Sequence, residues 1–139
     1  MEAIKTVKVL VSKPKDTKKT FCAEAIEEID GEHLYGLGSS AKEAIGDLYS
    51  LLSDVNDFRT EDGKVALNVK FEFVFDVAAM FNYYSYLDIS SVATRLGINP
   101  GLMRKYASGV VSPGAKRYKA ISAGMREIAS EINNIRFCM

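Results

Sequence analysis

The chain has 139 residues, 47% of them hydrophobic and 26% charged, and its 18 Lys and Arg balance its 18 Asp and Glu. This length excludes a large multidomain enzyme and leaves one domain or two small lobes, while the composition excludes a disordered chain, which needs lower hydrophobicity or a larger net charge. No stretch approaches the ~20 apolar residues of a membrane span, and lysines interrupt the N-terminal MEAIKTVKVLVSKPKD too often for a signal segment, so a cytoplasmic location is expected.

Val7, Val9 and Val11 alternate with Thr6, Lys8 and Leu10, which predicts a first strand over Lys5 to Val11. The run Lys13 to Lys19 holds a proline and no apolar residue, which predicts a hairpin loop leading to a second strand near Thr20 to Ile26. A short third strand is expected at His33 to Leu37, where Gly36 and Gly38 permit a tight exit. Ser40 and Glu43 form a capping box for a helix reaching about Val55, with Ala41, Ala44, Ile45, Leu48, Leu51, Leu52 and Val55 on one face. Asn56 to Lys64 is acidic, ends in Asp-Gly and is expected to be a turn. Val65, Leu67, Val69, Phe71, Phe73 and Phe75 then predict a fourth strand with one face in the core. The first lobe, residues 1–75, therefore reads β-β-β-α-β, an antiparallel sheet with a helix on one face.

At Asp76 the apolar period changes from two to about 3.6, and residues 76–139 read as an all-helical lobe, giving an α+β protein. Asp76 and Asp88 are N-cap candidates, and Asn99-Pro100 and Ser112-Pro113 each place a cap before a proline. Gly97 and Gly109 are helix stops. Ser112-Pro113 is expected to open a last helix reaching about Ile135, whose Tyr118, Ile121, Met125, Ile128, Ile132 and Ile135 form an a/d-type seam. The seam's partner is either its own lobe or the same helix of a second subunit. Charge divides between the lobes: eight basic residues face four acidic ones from residue 76 onward, against ten and fourteen before it.

Asp88 to Gly109 has the spacing of a helix-turn-helix, with Val92, Ala93, Leu96, Ile98, Met103 and Tyr106 as its core and Arg95, Arg104 and Lys105 outside. Phosphate or base contacts are expected from Asn99, Arg104, Lys105, Ser108, Arg95, Lys116, Arg117 and Lys119. The acidic residues Glu24, Glu27, Glu28, Asp30 and Glu32 could face a basic partner protein, although such a run is more often a solvated edge. The chemistry-bearing residue types are sparse. Cys22 and Cys138 lie far apart without metal-ligand spacing, and His33 is the single histidine. The first strand offers no carboxylate among Val7 to Val11, and the fourth offers only Glu72 on its outer face, so no metal site, cofactor or enzymatic activity is expected.

Three segments carry a resemblance: Gly36-Leu-Gly-Ser-Ser-Ala-Lys-Glu-Ala-Ile-Gly-Asp-Leu48, Phe71-Glu-Phe-Val-Phe-Asp76, and Leu96-Gly-Ile-Asn-Pro-Gly-Leu-Met-Arg-Lys-Tyr-Ala-Ser-Gly109. Together with the element order they resemble the HicB family of antitoxins, in the version with a C-terminal helix-turn-helix. The resemblance implies a first lobe like a truncated RNase H fold, without its catalysis, that silences a small ribonuclease toxin of the HicA type. It also implies a second lobe that represses the toxin–antitoxin operon as a dimer or higher oligomer. A solitary regulator without a toxin is the alternative. Because the second helix opens Pro100-Gly101-Leu102, base readout would rest on Asn99, Arg104, Lys105 and Ser108.

Overall fold

A computed structural model describes residues 3–15 and 19–139. The element order is β1 (Lys5–Ser12), β2 (Phe21–Ala25), β3 (Tyr35–Gly38), α1 (Ala41–Glu61), β4 (Val69–Phe75), α2 (Val77–Tyr83), α3 (Ile89–Leu96), α4 (Pro100–Ser108) and α5 (Ala115–Asn133). This is the expected α+β class. Two compact units divide the chain, Met1–Ser85 and Tyr86–Met139. The expected strand-to-helix junction at Phe75 lies within the first unit, which takes in α2 because Ala79 is buried in its core. Part of the expected hairpin loop, residues 16–18, lies outside the described residues.

The four strands form one sheet in the order β3-β2-β1-β4. It is mixed rather than the antiparallel sheet expected from sequence: β2 runs antiparallel to β1 and β3, but β4 pairs with β1 in parallel, from Lys5 opposite Val69 to Val11 opposite Phe75. The physical reason is the connection. Helix α1 carries the chain from β3 across one face to the far side of β1, and such a crossover delivers β4 in the same direction as β1. Val7, Val9 and Val11 of β1, with Phe21, Ala23 and Ala25 of β2, turn into the core under α1. Ala41, Ala44 and Leu48 answer them from the helix.

Two further expectations in this unit are corrected. The segment after Val55 is helix rather than turn, and α1 ends only at Asp62. No glycine or proline interrupts 56–61, and the Asn56 side chain serves a neighbour while its backbone stays helical: its amide donates to the Leu67 carbonyl at 3.2 Å and its oxygen accepts from the Leu67 N–H at 2.7 Å. Those bonds hold Leu67 buried without a strand partner, so β4 starts at Val69 rather than Val65, which is 58% exposed. Helix α2 is fixed at both ends. The Asp76 carboxylate accepts from Ala79 N–H at 2.7 Å as its cap and from Lys13 N–H at 3.1 Å, and Asn82 accepts from Ala41 N–H at 2.7 Å.

In the second unit α3 and α4 form within one residue of their expected limits. Asp88 and Asn99 cap them by accepting from the Ser91 and Leu102 N–H groups, and Gly97 and Gly109 close them at positive φ. The last helix differs: it begins at Ala115 behind Gly114, which supplies no side-chain cap, and ends at Asn133. Ser112 and Pro113 precede it as irregular chain.

Candidate nucleic-acid interface

Helices α3 and α4 are joined by a turn at Gly97, Ile98 and Asn99. The turn is tight because Gly97 adopts φ 75°, a left-handed conformation that costs glycine little, and Ile98 N–H donates back to the Ala93 carbonyl at 2.9 Å. Val92, Ala93, Ile98, Met103 and Tyr106 are buried, as the spacing predicts, while Leu96 is half-buried. With Met103 and Tyr106 inward, α4 presents Arg104, Lys105 and Ser108 outward at helical spacing. Arg104 Nη1 donates to Ser90 Oγ at 2.9 Å, which orients the guanidinium from α3. Two more of the four expected base readers also have part of their hydrogen-bonding capacity engaged locally: Asn99 Oδ1 accepts from Leu102 N–H at 3.1 Å, and Ser108 Oγ donates to the Lys105 carbonyl at 3.0 Å.

Arg95 stands apart from the other expected contacts. Its guanidinium lies 2.6 Å from Glu131 and 3.7 Å from Glu127, both on α5, and these carboxylates raise its pKa further above the usual arginine value. It braces α3 against α5. The same contact is drawn close at Gly124, where an added Cβ would stand 2.5 Å from Leu96 Cγ. Lys116, Arg117 and Lys119 are exposed on the first turns of α5, and Lys105, Lys116, Arg117 and Lys119 form no ion pair among the described residues. The expected a/d seam is covered within its own unit from Tyr118 to Ile128, with Ile121 buried and Tyr118, Met125 and Ile128 half-buried; Ile132 near the end of α5 is 58% exposed, and Ile135, expected in the seam, lies beyond the helix and is 50% exposed.

The acidic run of the first unit does not form one continuous face. Glu24 projects from the outer sheet surface onto His33, 2.9 Å away, whereas Asp30 reaches Arg59 of α1 at 3.5 Å. Glu27 stands 4.0 Å from Lys5. Glu28 is exposed and Glu32 half-exposed. Side chains of the chain itself thus already engage three of the five carboxylates, Glu24 through His33, Glu27 through Lys5 and Asp30 through Arg59. Cys22 lies partly covered on the outer sheet face, where burial and then Glu24 push its thiol pKa up, away from the reactive thiolate.

Asp88 makes the start of α3 acid-sensitive. The Ser91 hydroxyl and backbone N–H hold its carboxyl below the ordinary value of 3.8. A depressed pKa contributes stability that is present above the unfolded value and lost as pH falls through the folded one, so the cap should weaken only below about pH 4. A pH titration of the Ser91 amide by NMR should give a midpoint below that of an unperturbed aspartate, and Asp88→Asn should abolish the transition. A midpoint at the ordinary value would refute the cap's contribution.

No family model matches the chain, and no similar protein was found among the curated proteins or the solved structures.

Proposed function

We propose that the chain is a DNA-binding regulator of the HicB antitoxin type: its second unit occupies operator DNA through α4, and its first unit binds a HicA-like ribonuclease toxin. The observation that carries the DNA half is the outer face of α4, where Arg104, Lys105 and Ser108 share one side of a helix whose opposite side is buried against α3. A second helix of this size presented across a tight turn has the form that enters a major groove. The unit also has eight basic residues against three acidic ones, the balance needed for attraction to phosphates. The toxin half follows from the resemblance of the first unit, with Glu28 and Glu32 as the acidic residues left for a basic partner. The pairing of Glu24, Glu27 and Asp30 within the chain favours the second reading, a solitary regulator without a toxin. Association into a dimer is part of either reading, since paired subunits match paired half-sites.

Titration of the intact chain on its own promoter and on random duplex, at several salt concentrations, tests the reading. Five cations, Arg104, Lys105, Lys116, Arg117 and Lys119, give an expected slope of roughly −4 to −5 in log affinity against log salt, or about 500-fold weaker binding between 50 and 200 mM. Arg104→Ala should lose affinity mainly on the promoter, whereas Lys116→Ala should weaken both duplexes and flatten the slope by about one. Absence of binding to its own promoter at low salt refutes the DNA half and leaves α3 and α4 as a structural pair.

A further inference from the structure

Strand β4 ends the sheet, so among the described residues one of its edges has no strand beside it. Its ladder with β1 shows which backbone groups that edge carries. Lys5 N–H donates to the Asn68 carbonyl at 2.9 Å and Asp76 N–H donates to the Val11 carbonyl at 3.0 Å, so the even-numbered residues turn their backbone groups toward β1. Alternation places the N–H and C=O groups of Val69, Phe71, Phe73 and Phe75 on the open edge. Before β4 this side of the chain is closed by side chains: Asn56 brackets Leu67, and Arg59 Nε donates to the Val65 carbonyl at 2.9 Å. The closure stops where the strand begins.

Open edges are usually protected by proline, a bulge or like charges. β4 has an unbroken register and no proline, and its charges are one of each sign, Lys70 and Glu72, both exposed on the outer face. Such an edge is self-complementary. We propose that β4 pairs antiparallel with β4 of a second copy, about a two-fold axis through Phe71. The register follows from charge and hydrogen bonding together. Antiparallel pairing requires edge-facing residues to oppose one another, so odd-numbered positions meet odd-numbered ones. An axis at Lys70 or Glu72 sets like charges face to face, and one at Phe73 sets Glu72 against Val74 and Lys70 against Asp76, whose carboxylate lies past the end of β4 and already accepts from the Ala79 and Lys13 N–H groups. An axis at Phe71 sets Lys70 of each copy against Glu72 of the other, giving two opposite-charge cross-strand pairs. On the inner face it sets Phe71 against Phe71 and Val69 against Phe73. These rings already form an aromatic shelf, with Tyr49 edge-on to Phe71 and Phe73 at 5.3 and 6.4 Å, and the second copy continues it.

The interface specifies the association included in the proposed function, and it stands whether or not the second unit binds DNA. Sedimentation of the full chain without DNA reads it alone. Lys70→Glu and Glu72→Lys should each weaken association by about 30-fold, because each turns both attractive pairs repulsive. An equimolar mixture of the two variants should associate as tightly as the parent, since each copy then meets the opposite charge; this restoration also shows that both variants are folded. Single variants that associate like the parent overturn the proposal, as does a mixture no tighter than either variant alone.

Discussion

Gly36→Ala is expected to unfold the first unit or leave it barely folded. A Cβ built on Gly36 would lie 2.2 Å from the Ala44 carbonyl oxygen and 2.3 Å from the Leu48 nitrogen, both backbone atoms of α1. No side-chain rotation relieves either contact. The helix would have to rise from the sheet by about 1 Å, loosening Ala44 and Leu48, which are 0% exposed. Overpacking on this scale costs roughly 3 kcal/mol or more, a large share of the stability of a small unit. Gly38 makes a similar approach, 2.5 Å from Glu43 Cβ, so Gly38→Ala should act in the same direction. Amide hydrogen exchange on the full chain is the suitable measurement, because it reads the two units separately. Loss of protection across β1, β2, β3 and α1 is expected; protection unchanged there would show that α1 is not seated on β3 as described.

The second large effect is expected at Met103. It is 0% exposed, in a unit of about 54 residues whose buried residues also include Val92, Ala93, Ile98, Tyr106 and Ile121. Truncating such a side chain costs ~2–5 kcal/mol, while a unit of that size holds roughly 3–8 kcal/mol in all. Met103→Ala should therefore melt α3 and α4 at moderate temperature and abolish binding to every duplex. Met103→Leu, which nearly conserves volume, should lose less than about 1.5 kcal/mol and keep binding. The contrast with Arg104→Ala is informative: that variant should keep full exchange protection in α4 and lose affinity mainly on the promoter. If Met103→Ala remains as stable as the parent, the buried core assigned to the second unit is wrong.

The neighbouring residue Arg95 shows why position along a helix is not enough to assign a contact. Its place on α3, next to the expected helix-turn-helix contacts, makes it a candidate phosphate ligand by sequence, but Glu127 and Glu131, more than thirty residues away, hold its guanidinium. Exposed ion pairs are weak, so phosphate could still compete for it.

Local chemistry in the sequence determined most of the element list. Alternating valines specify β1, Ser40 with Glu43 specifies the start of α1, and Asp88, Gly97, Asn99, Pro100 and Gly109 specify α3 and α4 almost to the residue, because caps, stops and short apolar periods act within a few positions. The outward placement of Arg104, Lys105 and Ser108 follows from the same period. What acts across long separations was decided only in the tertiary structure. The parallel pairing of β4 with β1 depends on where α1 carries the chain, and the extension of α1 beyond Val55 depends on Asn56 finding the backbone of Leu67. Gly36 and Gly38 read locally as turn residues, yet their missing side chains make room for the α1 backbone, a requirement that exists only once helix and strand are in contact. The division of the acidic run between His33 on one sheet face and Arg59 on α1 likewise follows from which residues meet in space, to which charge counting along the chain is blind.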